Sequence, residues 1–162
     1  MTQCPTLLVA WHSRTGGSEA LARAVAEGAG AAAELRACEE VEPSDLLRAG
    51  GYCFVCPENL ASMSGLMKDI FDRCYYPVLG RIEGRAYATV IAAGSNGSGA
   101  QAQIDRIAKG WRLKRVAEPL IVGFDAQTPA AILAAKRVPQ ALLSEARDLG
   151  EALAEGLALG VF

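Results

Sequence analysis

Short unbroken apolar runs occupy residues 7–11, 52–56, 86–93 and 120–122. Runs of this kind suit strands buried on both faces, as in a parallel sheet. A more mixed run at 33–37 carries Glu34 and Arg36 and suits an edge strand. Between the runs the apolar period lengthens to that of helices. Residues 18–29 place Leu21, Ala22 and Val25 at helical spacing, and residues 64–73 place Leu66, Met67, Ile70 and Phe71 on one side. Residues 100–109 offer Ile104, Ile107 and Ala108, and the tail from 139 to 159 aligns Leu142, Leu143, Ala146, Leu149, Leu153 and Leu157. These are core-facing stripes. Glu42-Pro43-Ser44-Asp45 is a helix-start signal, and residues 125–129 form a loop before the C-terminal helices. Tyr75-Tyr76-Pro77-Val78-Leu79 reads as an apolar loop near a helix end, with part of it folded into the core. Strands alternating with helices imply βαβ units and a doubly wound sheet with right-handed crossovers.

The chain's 162 residues and 17.0 kDa fit one domain. With 51% hydrophobic and 21% charged residues, it buries a full core and is neither a disordered tail nor a disulfide-stapled miniprotein. A net charge of −2 without a basic run gives no field for nucleic acid or an anionic membrane. Met1-Thr2-Gln3-Cys4-Pro5 shows no basic segment before an apolar stretch, so no signal peptide is expected. The apolar runs fall short of the ~20 residues of a membrane helix, so a cytoplasmic location without membrane insertion is the expectation. Five cysteines cannot all pair with one another. Cys53 and Cys56 have the spacing of a redox pair, but they lie inside a strand-like run, where side chains three apart point to opposite faces. They read as buried reduced thiols, and the single His12 with scattered cysteines makes no zinc site.

In an open α/β sheet, ligands bind beyond the carboxyl ends of the strands. After the first strand, Ser13, Arg14, Thr15, Gly16, Gly17 and Ser18 lead straight into a helix. Free amides at a helix N-terminus bind anions, glycines allow close approach, and hydroxyls add hydrogen bonds. The same residues also suit a plain helix cap in a Gly-rich turn. No Gly-Lys-Ser/Thr follows, so this is not a Walker loop. After the third strand, Pro57 is expected to end the strand, since it has no N–H for the ladder. Glu58, Asn59, Leu60, Ser62, Met63, Ser64 and Gly65 then form a polar loop before a helix. After the fourth strand come Gly94, Ser95, Asn96, Gly97, Ser98 and Gly99, whose backbone can lie flat against a ligand. Gly97, Gly99 and Ala102 also match a dinucleotide fingerprint, read as a false positive because it follows the fourth strand. Together the three loops suit a planar, phosphorylated ligand.

Ser13-Arg14-Thr15-Gly16-Gly17-Ser18 resembles the Ser/Thr-x-Thr-Gly-Asn-Thr phosphate loop of flavodoxins. The stretch from Pro57 to Gly65, with Met67-Lys68-Asp69, Phe71-Asp72-Arg73 and Tyr75-Tyr76-Pro77, resembles the second flavin loop and following helix of flavodoxin-like oxidoreductases. These include the NAD(P)H-dependent FMN reductases and quinone reductases. Gly94 to Gly99 matches the position of their third flavin loop. The resemblance implies a flavodoxin-like three-layer sandwich, with a five-stranded parallel sheet in order 2-1-3-4-5 and helices on both faces. It also implies FMN as cofactor, its phosphate held by Ser13 to Ser18 and its ring bordered by the other two loops.

The sequence departs from the family at Gly17, where Asn is usual, at Ser18, where Thr is usual, and at Glu58-Asn59, where many relatives carry Thr-Tyr. Glu58 would either oppose the reduced flavin's charge or face solvent. The second and third loops carry no Trp or Tyr, and the charge is only −2. Both features lean away from an acidic electron carrier. The resemblance therefore implies a flavoprotein oxidoreductase passing electrons from NAD(P)H, as co-substrate, through FMN to a quinone or other small-molecule electron acceptor. The alternatives are a flavodoxin-type carrier without direct NAD(P)H oxidation, and a fold relative that has lost its cofactor. A receiver domain is excluded, because Trp11-His12-Ser13 and Cys56-Pro57 stand where its acidic residues belong. No catalytic residue is named, and His12 is expected to be structural. Many family members are dimers, so a homodimer is a further expectation.

Overall fold

The computed structural model describes residues 5–162, so Cys4 and the leader reading of the first residues lie outside the described region. The elements alternate as the apolar pattern predicts. They are β1 (Leu7–Trp11), α1 (Gly17–Ala29), β2 (Ala33–Ala37), α2 (Pro43–Arg48), β3 (Gly51–Asn59), β4 (Ser62–Met63) and α3 (Gly65–Val78). Then follow β5 (Ala86–Ala93), α4 (Ser98–Gly110), β6 (Lys114–Arg115), β7 (Leu120–Gly123), α5 (Pro129–Leu133) and α6 (Gln140–Leu159). The long strands run parallel in the order β2-β1-β3-β5-β7, with the mixed Glu34/Arg36 strand at the edge. This is the expected order, with two short strands added. β4 folds back antiparallel on β3, and β6 pairs the start of β5 ahead of β7. Pro119, which has no N–H to donate, sits between β6 and β7 where the fifth strand breaks.

Two further expectations are corrected. Pro57 does not end β3; it pairs with Ala92, and the strand continues to Asn59. The Val55 carbonyl accepts the His12 N–H at 3.0 Å, so by alternation the Pro57 nitrogen faces the side that β1 has already left. No ladder bond is lost there. Residues 75–78 are the last turn of α3, with Pro77 inside it, and not a loop. Only Val78 of that segment enters the core, while Tyr76 and Leu79 stay exposed.

Alternation sorts the sheet's side chains into two cores. Tyr52, Phe54, Cys56, Tyr87 and Ile91 face α2, α3 and α4, where Phe71 and Trp111 join an aromatic cluster. The Phe54–Phe71 and Phe71–Trp111 centroids lie 5.0 and 5.2 Å apart, at separations that favour tilted and edge contacts. Cys53, Val55, Ala88, Val90 and Ala92 face α1 and α6. Cys53 and Cys56 therefore sit on opposite faces, and burial pushes each thiol up to about 12. Glycines in the two helices let α1 and α6 pack closely. A Cβ at Gly28 would strike the Arg147 carbonyl, and one at Gly150 would strike the Val25 carbonyl. Among the described residues no helix is long and apolar enough to cross a membrane.

This close approach fixes α1, whose first turn opens the candidate site. Gly150→Ala forces the two backbones apart. The expected cost is about 1–3 kcal/mol, read as a thermal midpoint lowered by several degrees. An unchanged midpoint contradicts the contact.

Candidate functional site

The carboxyl ends of β1, β3, β5 and β7 surround a cleft of about 560 Å³. Ser13, Arg14, Thr15, Gly17 and Ser18 border it from the first loop. Pro57, Glu58, Asn59 and Leu60 border it from the second, and Gly94 and Ser95 from the third. The other residues that the three loops nominate stand outside its lining: Gly16, Ser62, Met63, Ser64, Gly65, Asn96, Gly97, Ser98 and Gly99.

At the first loop, the Ser13 hydroxyl accepts the Gly16 N–H at 3.0 Å, turning the chain into α1. Gly16 takes a φ of 96°, a conformation glycine adopts without penalty, and offers no side chain to cap the helix. The first amides of α1 are therefore left for a ligand or water. Ser18 lies in that first turn, is 2% exposed and borders the cleft, yet its Oγ has no hydrogen-bond partner among the described residues. A buried hydroxyl without a partner is uncommon and costs roughly 1–3 kcal/mol. An anion seated on the first turn of α1 would satisfy it. His12, just before the loop, does not border the cleft. Burial lowers its pKa, with Glu39 raising it and Arg14 lowering it, and its Nδ1 is buried without a partner among the described residues.

The opposite arrangement holds at α4. The Glu58 carboxylate accepts the Gly97 N–H at 2.9 Å through Oε1 and the Ala100 N–H at 3.0 Å through Oε2. An internal carboxylate thus occupies the N-terminus of α4, and the apparent dinucleotide fingerprint has no open anion site. Glu58 does not simply face solvent; it borders the cleft and ties β3 to α4. Gly99 has no Cβ because one would strike the Ala61 carbonyl. Gln103 holds the same hairpin from α4, its Oε1 accepting from the Ser62 hydroxyl at 2.8 Å and the Met63 N–H at 2.9 Å. At the hairpin tip, Leu60 and Ala61 take φ values of 51° and 61°. Two successive non-glycine residues in the left-handed region are strained, at roughly 1–3 kcal/mol each.

The fourth side of the cleft was not legible as a site. Phe124, Ala126, Ile132, Leu133 and Lys136 all border it, as do Ala61, Ala92 and Ala93. The Phe124 and Ala126 amides donate to Ala93 and Gly94, at 2.8 and 2.9 Å. A Cβ at Gly17 would lie 3.0 Å from Phe124 Cζ and 3.3 Å from Lys136 Cβ. The ring therefore fills the space that an Asn at position 17 would need. The available signal was positional: residues 124–128 follow the fifth strand as the other loops follow theirs.

Known proteins agree with this architecture. No family model matches the chain. The fold is flavodoxin-like: an archaeal flavodoxin superposes with a TM-score of 0.78 at 17% identity, covering 94% of this chain and 98% of the other. A WrbA-like flavodoxin from Agrobacterium tumefaciens gives 0.74 at 19%, covering 94% and 97%. In sequence, a protein named flavodoxin from Aquifex aeolicus (strain VF5) is 32% identical over 97 residues, or 57% of this chain. That match spans 52% of the relative, about half its length.

Glu58→Gln replaces one of two acceptors with an amide donor, setting N–H against N–H at the start of α4. The variant is expected to lose about 1–2 kcal/mol in urea unfolding. Wild-type stability contradicts the capping role.

Proposed function

We propose that this protein binds FMN in the cleft and acts as an oxidoreductase. The observation that carries the reading is the unpartnered Ser18 hydroxyl, buried in the first turn of an uncapped helix and bordering the cleft. A dianionic phosphate fits that donor set: the Ser18 and Thr15 hydroxyls, the first amides of α1, and exposed Arg14 at the rim. The larger part of the cleft, bordered by Pro57, Asn59, Leu60, Gly94 and Ser95, suits a planar ring. The fold supports the same ligand, since similar proteins are named flavodoxins.

FMN, when bound, supplies the electron chemistry, and the chain supplies position and exclusion of water. Ser13 sets the turn of the phosphate loop, and Glu58 fixes the hairpin through α4. The donor we favour is NAD(P)H, and the acceptor a quinone or other small molecule. Modest charge and a cleft without Trp or Tyr among the described residues support this reading. The relative named flavodoxin favours a second, an electron carrier reduced by a partner protein.

Replacing Thr15 and Ser18 together by Ala removes two hydrogen bonds to a charged group. FMN affinity by calorimetry is expected to fall roughly tenfold to a hundredfold or more, with the fold intact. Unchanged affinity would falsify the phosphate assignment. Oxygen-free addition of NADH or NADPH to the FMN-loaded protein separates the two activities. Prompt bleaching of the flavin band supports the reductase; no bleaching by either nucleotide, with bleaching by dithionite, supports the carrier.

A further inference from the structure

The short helix α5 has no buried residue. Its Ile132 and Leu133 are 53% and 78% exposed, an unusual placement for large aliphatic side chains. Both border the cleft, as does Leu60, which is fully exposed on the strained hairpin tip. Packing within the chain therefore does not account for α5. Its anchoring is nevertheless extensive. The Thr128 hydroxyl caps its start, accepting the Ala131 N–H at 3.2 Å. Lys136 closes its end, Nζ donating to the carbonyls of Ala131, Ile132 and Ala134 at 2.9, 3.0 and 2.6 Å. The Lys136 N–H in turn donates to the Thr15 carbonyl at 2.7 Å, tying α5 to the phosphate loop. All three ammonium hydrogens are used within the chain, so Lys136 is a latch and not a free cation for the ligand.

We infer that α5, latched to the phosphate loop by Lys136, is a wall of the ring-binding part of the cleft, with Ile132 and Leu133 as its contact residues and Leu60 supplying a second aliphatic surface. This rests on the FMN reading and adds to it the residues that select the ring. An aliphatic wall holds a planar ring by area and shape, without aromatic stacking. It also leaves a spectroscopic mark. An indole or phenol against a flavin transfers an electron to its excited state and darkens it, whereas leucine does not. Among the described residues no Trp or Tyr borders the cleft, so bound FMN is expected to keep its fluorescence.

The test uses full-length wild-type protein, L133W and the control L159W, whose residue is 76% exposed at the end of α6, away from the cleft. Each is saturated with FMN, with occupancy fixed by equilibrium dialysis. L133W is expected to lose most of the bound emission, and L159W to keep the wild-type value. Full emission from a saturated L133W overturns the inference while leaving the FMN reading intact. No FMN bound by wild type in dialysis overturns both. Leu133→Ala covers the case in which the indole blocks folding or binding, or the wild-type complex is already dark. It is expected to weaken riboflavin and FMN alike, by about tenfold. Unchanged affinity for both ligands also overturns the inference.

Discussion

Two helices open at the same edge of the sheet, and a single carboxylate decides which of them is available. Glu58 accepts two amides of the first turn of α4 and so removes that N-terminus from ligand chemistry. The first turn of α1 receives no comparable group, and the Ser18 hydroxyl beside it has no partner among the described residues. The polarity of the cleft follows from this asymmetry. Donors without a partner among the described residues stand at β1–α1, while Glu58 already satisfies two amides at the start of α4.

The same contact gives the second loop its rigidity. A hairpin with two non-glycine residues in the left-handed region persists only where its surroundings hold it. Here they are Glu58 at its base, Gln103 against Ser62 and Met63, and the absent side chain of Gly99 beneath Ala61. On the other face, the glycine contacts between α1 and α6 set the depth of α1. The first loop and the hairpin are thus fixed from opposite layers of the sandwich.

The architecture was legible because buried parallel strands leave unbroken apolar runs and amphipathic helices leave stripes. The mixed residues 33–37 even revealed the edge. Pro57 misled, because whether a missing N–H ends a strand depends on what lies beside it. Residues 75–77 misled in a similar way, since an apolar turn with a proline reads as a loop until its place at the end of a helix is known. At the site, the first loop was legible as a Gly-rich turn running straight into a helix. The function of Glu58 was not, because its partners lie 39 and 42 residues away. The Phe124–Lys136 side of the cleft left two faint traces, its place after the fifth strand and the bare Gly17 that its ring overlies. Spacing within a motif reports local geometry; it does not report what a distant loop places in the gap.

The most direct measurement compares FMN with riboflavin on the wild-type protein by calorimetry. The two ligands share the ring and differ in the phosphate. If the first turn of α1 is the anion site, FMN binds tighter by roughly a hundredfold or more, the worth of several charge-assisted hydrogen bonds. Equal affinities would contradict the account, because the uncapped helix and the unpartnered Ser18 would then have no part in binding.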